Sequence, residues 1–232
     1  MAQATNLERD LTGPLSSWMG SECVALAAPI DPSNEELLQA EELRCIEQAV
    51  ASRRAEFATG RVLARRALAQ LGFPSDRLIM LEDRAPKWPA ACEASLSHAG
   101  GYCLFAARPR SGHGIGIDLE VVTKLDEPSR ALLLTEREQS RIGALPGGWD
   151  GEAAPLAALQ AFSMKEALFK AMHGFGNHRL DFLAIELLPL PGGTWTALAG
   201  EEFRRRLPAG VQISVWSAQV SHFVVSAAVL SS

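Results

Sequence analysis

Residues 114–122, GIGIDLEVV, alternate aliphatic side chains (Ile115, Ile117, Leu119, Val121) with smaller or polar ones, the period-two pattern of a strand. The same period carries Asp118 and Glu120 onto one face, about 7 Å apart along the backbone. ASLSHAGGYCLFAARP (94–109) predicts two strands joined by a turn at Gly100-Gly101. VQISVWSAQVSHFVVSAAVL (211–230), dense in β-branched residues, predicts a hairpin. Residues 1–30 read as an irregular opening holding one strand near 23–28.

Helical periods fill the intervals. DPSNEELLQAEELRCIEQAV (31–50) reads as a helix capped by Asp31 or Ser33, with acids in its first turn. Ser52 is placed to cap the next, RRAEFATGRVLARRALAQLG (53–72), which Gly72 and Pro74 stop. Arg53, Phe57, Gly60, Ala64 and Leu71 share a face of it, and the glycine there predicts close approach to another backbone. Thr135 and Glu138 form a capping-box pair that opens a helix. A long helix is expected from Pro155 to His173, ended by Gly174, with Ala161, Met164, Leu168 and Ala171 as its buried stripe. Phe162, Glu166 and Lys170 lie on a different face, with Lys165 beside them. Segments 83–91 and 145–155 read as loops. A short echo, SHAGGYCLFAA (97–107) against SHFVVSAA (221–228), suggests two similar halves.

Composition narrows the class. At 232 residues, 47% hydrophobic and 21% charged, the chain suits one large or two small globular domains, not a disordered one. A net charge of −5 gives no reason to expect nucleic-acid binding. No apolar run approaches the roughly 20 residues that span a bilayer. The opening MAQATNLERDLTGPL lacks a basic-then-apolar signal, so a cytoplasmic protein is expected. Cys23, Cys45, Cys92 and Cys103 are scattered, with neither CxxC nor zinc-ligand spacing, and read as core thiols.

Three groups carry candidate chemistry. Asp118 and Glu120 are either two acids on a solvated strand face or, since close carboxylates repel unless a cation sits between them, part of a Mg²⁺ site. Glu166 and Lys170 are either a surface helix pair worth about 0.2–0.5 kcal/mol or a third carboxylate and a phosphate-binding cation. His98, after Ser97 at a strand end, fits a base, a phosphate contact or a core position. No G-x-S-x-G precedes it, so a serine hydrolase is a poor reading. Arg53, Arg61, Arg84 and Lys87 are phosphate-binding candidates, each singly as readable as a solvated charge. SGHGIG (111–116) precedes a strand instead of opening a helix, so it is neither a Rossmann nor a P-loop element.

In order, EFATGRVLARRAL (56–68), DRAPKWP (83–89), SLSHAGG (95–101), GIGIDLE (114–120) and FSMKEALFK (162–170) resemble the 4′-phosphopantetheinyl transferases, of the surfactin-synthetase and enterobactin-synthetase component D type. The match covers residues 50–185 well and the ends only by pattern. It implies an α+β fold of two similar α/β halves about a pseudo-twofold axis, with coenzyme A in the cleft between them. Residues 1–113 would form the half that contacts the coenzyme A nucleotide, and 114–232 the half with the metal and catalytic groups. The implied reaction moves the 4′-phosphopantetheine arm of coenzyme A to a serine of an apo acyl- or peptidyl-carrier protein, releasing adenosine 3′,5′-bisphosphate.

By matching position, the resemblance implies that Asp118, Glu120 and Glu166 hold Mg²⁺, with Mn²⁺ as a substitute, on the coenzyme A pyrophosphate. Lys170 would contact the same pyrophosphate, and Glu166 or a metal-bound water would take the serine proton. Ser97 and His98 would touch coenzyme A phosphates, His98 the 3′-phosphate, while Arg53, Arg61 and Arg84 grip the nucleotide end. The family type further implies a monomer serving siderophore, nonribosomal peptide or polyketide synthesis. Phe162 stands where many relatives carry tryptophan, and Leu119 where others have isoleucine, valine or glutamine. A non-catalytic relative that binds coenzyme A or carriers would be expected to lack one of the three acids or Lys170. Another Mg²⁺-dependent phosphoryl-transfer enzyme would act on coenzyme A without a carrier.

Overall fold

The computed structural model describes residues 5–75, 77–81, 85–112, 114–173 and 181–231. Contacts divide the chain into two compact units, Met1–Ser111 and Gly112–Ser232.

In the first unit, helix α1 (Asn6–Met19) precedes strand β1 (Val24–Pro29), where an irregular opening was expected. Thr5 and Glu8 close a capping box at its start, and the helix continues through Pro14 because Leu11 and Leu15 are fully buried. The single helix expected over 31–50 is two pieces, a 3₁₀ turn at Pro32–Leu37 capped by Asp31 and helix α2 (Ala40–Cys45). Leu38 between them is extended and buried in a cluster with Ile46, Phe57 and Ala58, so tertiary packing breaks the run. Helix α3 (Ala51–Gln70) starts one residue before Ser52, with Val50 at the cap. Strands β2 (Cys92–Ala99) and β3 (Tyr102–Pro109) form the expected hairpin, turning at Gly100 and Gly101, both at positive φ. Leu63, Ala64, Ala67 and Leu68 of α3 meet Leu78, Cys92, Cys103 and Phe105 in the core.

The second unit opens with strand β4 (Gly114–Val121). Helices α4 (Glu127–Leu133) and α5 (Glu136–Gly143) follow, then the long helix α6 (Ala153–His173). Gly174, its expected stop, lies outside the described residues. A two-stranded sheet, β5 (Ile185–Pro189) with β6 (Trp195–Ala199), and helix α7 (Glu201–Arg205) were not expected. Strands β7 (Gln212–Val220) and β8 (Phe223–Ser231) complete the unit. The four cysteines are free; Cys23, Cys92 and Cys103 are buried, and burial pushes each thiol up to about 11 or about 12.

The two units repeat one plan. Each has a three-stranded antiparallel sheet whose first strand pairs with its last, in the orders β1-β3-β2 and β4-β8-β7. Each lays one long helix, α3 or α6, on that sheet.

A buried polar pair repeats too. Glu42, third residue of α2, and Glu138, third residue of α5, are both fully buried. Oε2 of each accepts the N–H of the cap residue, from Gln39 at 2.9 Å and from Thr135 at 2.7 Å. Oε1 accepts the N–H of Leu78 at 2.9 Å and of Leu187 at 2.7 Å. Each then pairs with a cation of its long helix, Glu42 with Arg65 and Glu138 with Lys165. Counting along α3 from Arg65 and along α6 from Lys165 matches Leu63 with Ser163, Arg66 with Glu166 and Gln70 with Lys170. Counting strand register from each hairpin matches Leu26 with Asp118 and Ala28 with Glu120.

The Ser-His echo has a different basis from the one its spelling suggests. Ser97 and His98 lie on β2 before the turn, whereas Ser221 and His222 are the β7–β8 turn itself, Ser221 at φ 55°. In register, Ser97-His98 corresponds to Ala218-Gln219. The repeat lies in topology, not in that dipeptide.

Candidate functional site

The acids of β4 stand on the strand face that meets α6. An ideal Cβ on Gly116 would lie 1.8 Å from the Ala167 carbonyl oxygen and 2.7 Å from the Ala171 nitrogen. Gly114, Gly116, Asp118 and Glu120 share that face by the strand's period. Gly116 therefore lets helix and strand backbones touch, which brings α6 side chains within reach of Asp118. The close approach expected at Gly60 is of another kind, to the Leu96 side chain. Ile115, Ile117 and Leu119, on the opposite face, are buried as expected.

Asp118 is 3% exposed and held on both oxygens. Lys170 Nζ donates to Oδ1 at 2.7 Å and to the Ile117 carbonyl at 3.1 Å. Ser163, itself fully buried, donates its hydroxyl to Oδ2 at 2.9 Å. Cross-strand from Asp118 lies Ser226, whose hydroxyl donates to Ser217 at 2.9 Å, so a polar row crosses the sheet.

Glu120 and Glu166 are half-buried, and their electrostatics tie them to Asp118. Burial, then the negative charges of Asp118 and Glu166 against the opposing pull of Lys170, pushes Glu120 up to about 7. Burial and then Asp118 raise Glu166, again opposed by Lys170. Asp118, Glu120, Glu166 and Lys170 thus form one coupled group. Among the described residues no three acidic, histidine or cysteine side chains stand close enough together to hold a metal ion as they are.

Lys165 does not belong to this group. It is fully buried and donates to Glu138 Oε2 at 2.7 Å, the Phe182 carbonyl at 2.7 Å and the Leu133 carbonyl at 2.9 Å. Desolvation lowers its pKa, and Glu138 opposes that. It ties α6 to α4, to α5 and to the turn before β5. Sequence reasoning missed this role and that of Ser163. The signal for Ser163 was a serine inside an otherwise apolar helix run.

In the first unit, Arg53 Nη1 donates to His98 Nε2 at 2.7 Å and to Glu56 Oε2 at 3.2 Å. Arginine stays protonated, so Nε2 is the accepting nitrogen of His98. Ser97, on the same strand, is 6% exposed. Arg61 is 2% exposed, its guanidinium 4.2 Å from the Phe57 ring centroid and 5.8 Å from that of Trp88. Its Nε is buried without a hydrogen-bond partner, and desolvation lowers the pKa to about 10. Arg84 lies outside the described residues.

Comparison with known proteins matches both units. The profile of the 4′-phosphopantetheinyl transferase N-terminal domain matches residues 40–108, and that of the 4′-phosphopantetheinyl transferase superfamily matches residues 114–227. The chain is 35% identical over 190 residues to the 4′-phosphopantetheinyl transferase Svp of Streptomyces mobaraensis, covering 79% of this chain and 73% of that one. It is 33% identical over 147 residues to enterobactin synthase component D of Escherichia coli (strain K12), covering 61% and 66%. A holo-(acyl-carrier-protein) synthase from Bacillus anthracis, solved in complex with CoA, is similar over 50% of this chain and 94% of its own, at 22% identity and a TM-score of 0.38.

Proposed function

Because the chain belongs to the 4′-phosphopantetheinyl transferase superfamily, we propose that Asp118, Glu120 and Glu166 hold Mg²⁺, or Mn²⁺ in its place, on the pyrophosphate of coenzyme A. The enzyme transfers 4′-phosphopantetheine from coenzyme A to a serine of a carrier protein. One observation carries the metal reading: three carboxylates coupled around one lysine, with Glu120 raised to about 7 and Glu166 raised by burial and like charge. Such a set relaxes when a dication arrives, and its donors are all hard oxygens, as Mg²⁺ prefers. The bound ion would supply charge neutralisation on the pyrophosphate.

The carrier serine Oγ attacks the phosphorus that bears the pantetheine arm. The bond from that phosphorus to the bridging oxygen breaks, and adenosine 3′,5′-bisphosphate leaves with that oxygen. Lys170 turns from Asp118 to the pyrophosphate and offsets the charge that grows there. Glu166 would accept the serine proton, a task suited to a carboxylate.

Arg53, Arg61, Arg84, Ser97 and His98 take the nucleotide end, in the half 1–113, while 114–232 carries the catalytic groups. The buried, unpartnered Nε of Arg61 supports an anion there, because a buried N–H of a charged group is costly without a partner. The hydrogen-bonded Arg53 and His98 form a second phosphate locus. The carriers are those of siderophore, nonribosomal peptide or polyketide synthesis, and the enzyme works as a cytoplasmic monomer. No described helix is long and apolar enough to cross a membrane.

The test incubates the protein with coenzyme A, millimolar Mg²⁺ and apo acyl- or peptidyl-carrier domains, then weighs the carrier. A gain of one phosphopantetheine is expected. No gain with any carrier would sink the reading, and full activity in EDTA would remove the metal from it.

A further inference from the structure

Ser163 has no counterpart in the fold's own logic. The matching position in the first unit is Leu63, and the residue matching Asp118 is Leu26; both belong to one apolar cluster. The same helix-on-strand contact is thus filled by two leucines in one unit and by a hydrogen-bonded serine and aspartate in the other. Serine is a poorer helix former than leucine, and a buried hydroxyl is unfavourable unless bonded. Neither helix propensity nor the repeated topology calls for it at a fully buried position; its one use there is the bond to Asp118.

Its geometry supplies a reason. Two of the donors that hold Asp118 differ in kind. Lys170, at Oδ1, sits on a long flexible stem and is still 26% exposed. Ser163, at Oδ2, is fixed to the α6 backbone by one short bond and buried. When Lys170 moves to a phosphate, the second grip stays.

We propose that Ser163 is a positioning residue, whose hydroxyl holds Oδ2 of Asp118 so that the carboxylate keeps its orientation toward metal and pyrophosphate when Lys170 leaves Oδ1. This rests on the transfer reading above. The hydroxyl touches neither substrate nor ion and acts only through Asp118. A carboxylate free to turn about its terminal torsion would present its lone pairs in many directions, and ligand geometry at a metal depends on such outer bonds.

The test compares Ser163→Ala, Ser163→Cys and Ser163→Thr, alone and in an Asp118→Asn background. Cysteine keeps the size and lacks a strong donor; threonine keeps the hydroxyl. Calorimetry reads Mn²⁺-dependent coenzyme A affinity, kinetics read kcat and KM, and circular dichroism reads the melting temperature. The alanine and cysteine variants take one donor from a buried carboxylate oxygen and are expected to stay folded and to melt only modestly below the parent. They should lose at least about tenfold in kcat and in Mn²⁺-dependent affinity, about 1.4 kcal/mol, and threonine should restore most of both. In the Asp118→Asn background the Ser163 changes should add nothing to the affinity loss. Parent-like kcat and affinity in Ser163→Ala, or losses that simply add to those of Asp118→Asn, would overturn the proposal. Failure of the parent to modify any carrier would instead overturn the transfer reading, and the affinity comparison would still decide the role of Ser163. A parent without Mn²⁺-dependent affinity would overturn both.

Discussion

Lys170 and Asp118 are joined by a 2.7 Å hydrogen-bonded ion pair, with the carboxylate almost wholly buried and the ammonium partly open to solvent. The pair stores the lysine beside the carboxylate that would meet the metal. Asp118→Ala and Glu166→Ala should therefore abolish transfer, by about 10²-fold or more in kcat, while circular dichroism stays native. Lys170→Met should lose a similar factor. An Asp118→Ala enzyme that keeps the parent rate at low Mg²⁺ would show that the metal is held elsewhere.

Gly116 is the point where α6 and β4 touch. A methyl group there meets the Ala167 carbonyl at 1.8 Å and the Ala171 nitrogen at 2.7 Å, both backbone atoms that cannot rotate away. Gly116→Ala should destabilise by about 1–3 kcal/mol or more, read as a lowered urea midpoint, and transfer should fall because the helix carrying Ser163, Glu166 and Lys170 is pushed off the strand. Gly60→Ala is the control. Its neighbour is the flexible end of Leu96, so the loss of stability should be smaller.

The strand of residues 114–121 was legible because its pattern is local: alternation fixes the period and puts both acids on one face. The α6 stripe and the hairpins were legible for the same reason. What stayed hidden depended on distant residues. Pro14 reads as a breaker, and only the burial of Leu11 and Leu15 carries the helix through it. The segment 31–50 has the composition of one helix, but burial of Leu38 splits it. Lys165 lies beside Glu166 in sequence, yet its partners Glu138 and the Leu133 and Phe182 carbonyls come from three other segments. The acids of the site were thus readable, but not what orients them.

Glu138 and Lys165 are both fully buried and satisfied by two carbonyls and two backbone N–H groups besides each other. Removing one charge strands the other. Lys165→Met and Glu138→Leu should each lower stability by about 3–5 kcal/mol, seen in urea unfolding. The double variant should be more stable than the sum of the two single losses predicts. Simple additivity would show that the pair is not coupled.

A carboxyl that titrates higher in the folded chain binds its proton more tightly there than in the unfolded chain. Its contribution to stability is full below the ordinary carboxylate range and is lost as pH rises through the folded value, about 7 for Glu120. Glu166 acts in the same direction. In EDTA the melting temperature should fall between about pH 5 and about pH 8, and Glu120→Gln should flatten that fall. Mg²⁺ with coenzyme A should restore stability most at the alkaline end, where the carboxylates are charged. A flat profile in EDTA would contradict the coupling of the three acids.

Arg61 separates stability from binding. The residue is 2% exposed, its guanidinium lies over Phe57 and near Trp88, and its Nε lacks a hydrogen-bond partner. Such a group weakens the unliganded fold unless an anion completes it. Arg61→Leu, which keeps the packing and removes the charge, should hold or raise the melting temperature of the protein without ligand. Coenzyme A should then bind about tenfold or more weakly, the share of a charged hydrogen bond worth about 1.5–3 kcal/mol. The stabilisation that coenzyme A confers on the parent should shrink with it. Dephospho-coenzyme A, which lacks the 3′-phosphate, discriminates further: parent and variant should bind it alike if Arg61 answers that phosphate. An equal loss with both ligands would instead assign Arg61 to the pyrophosphate.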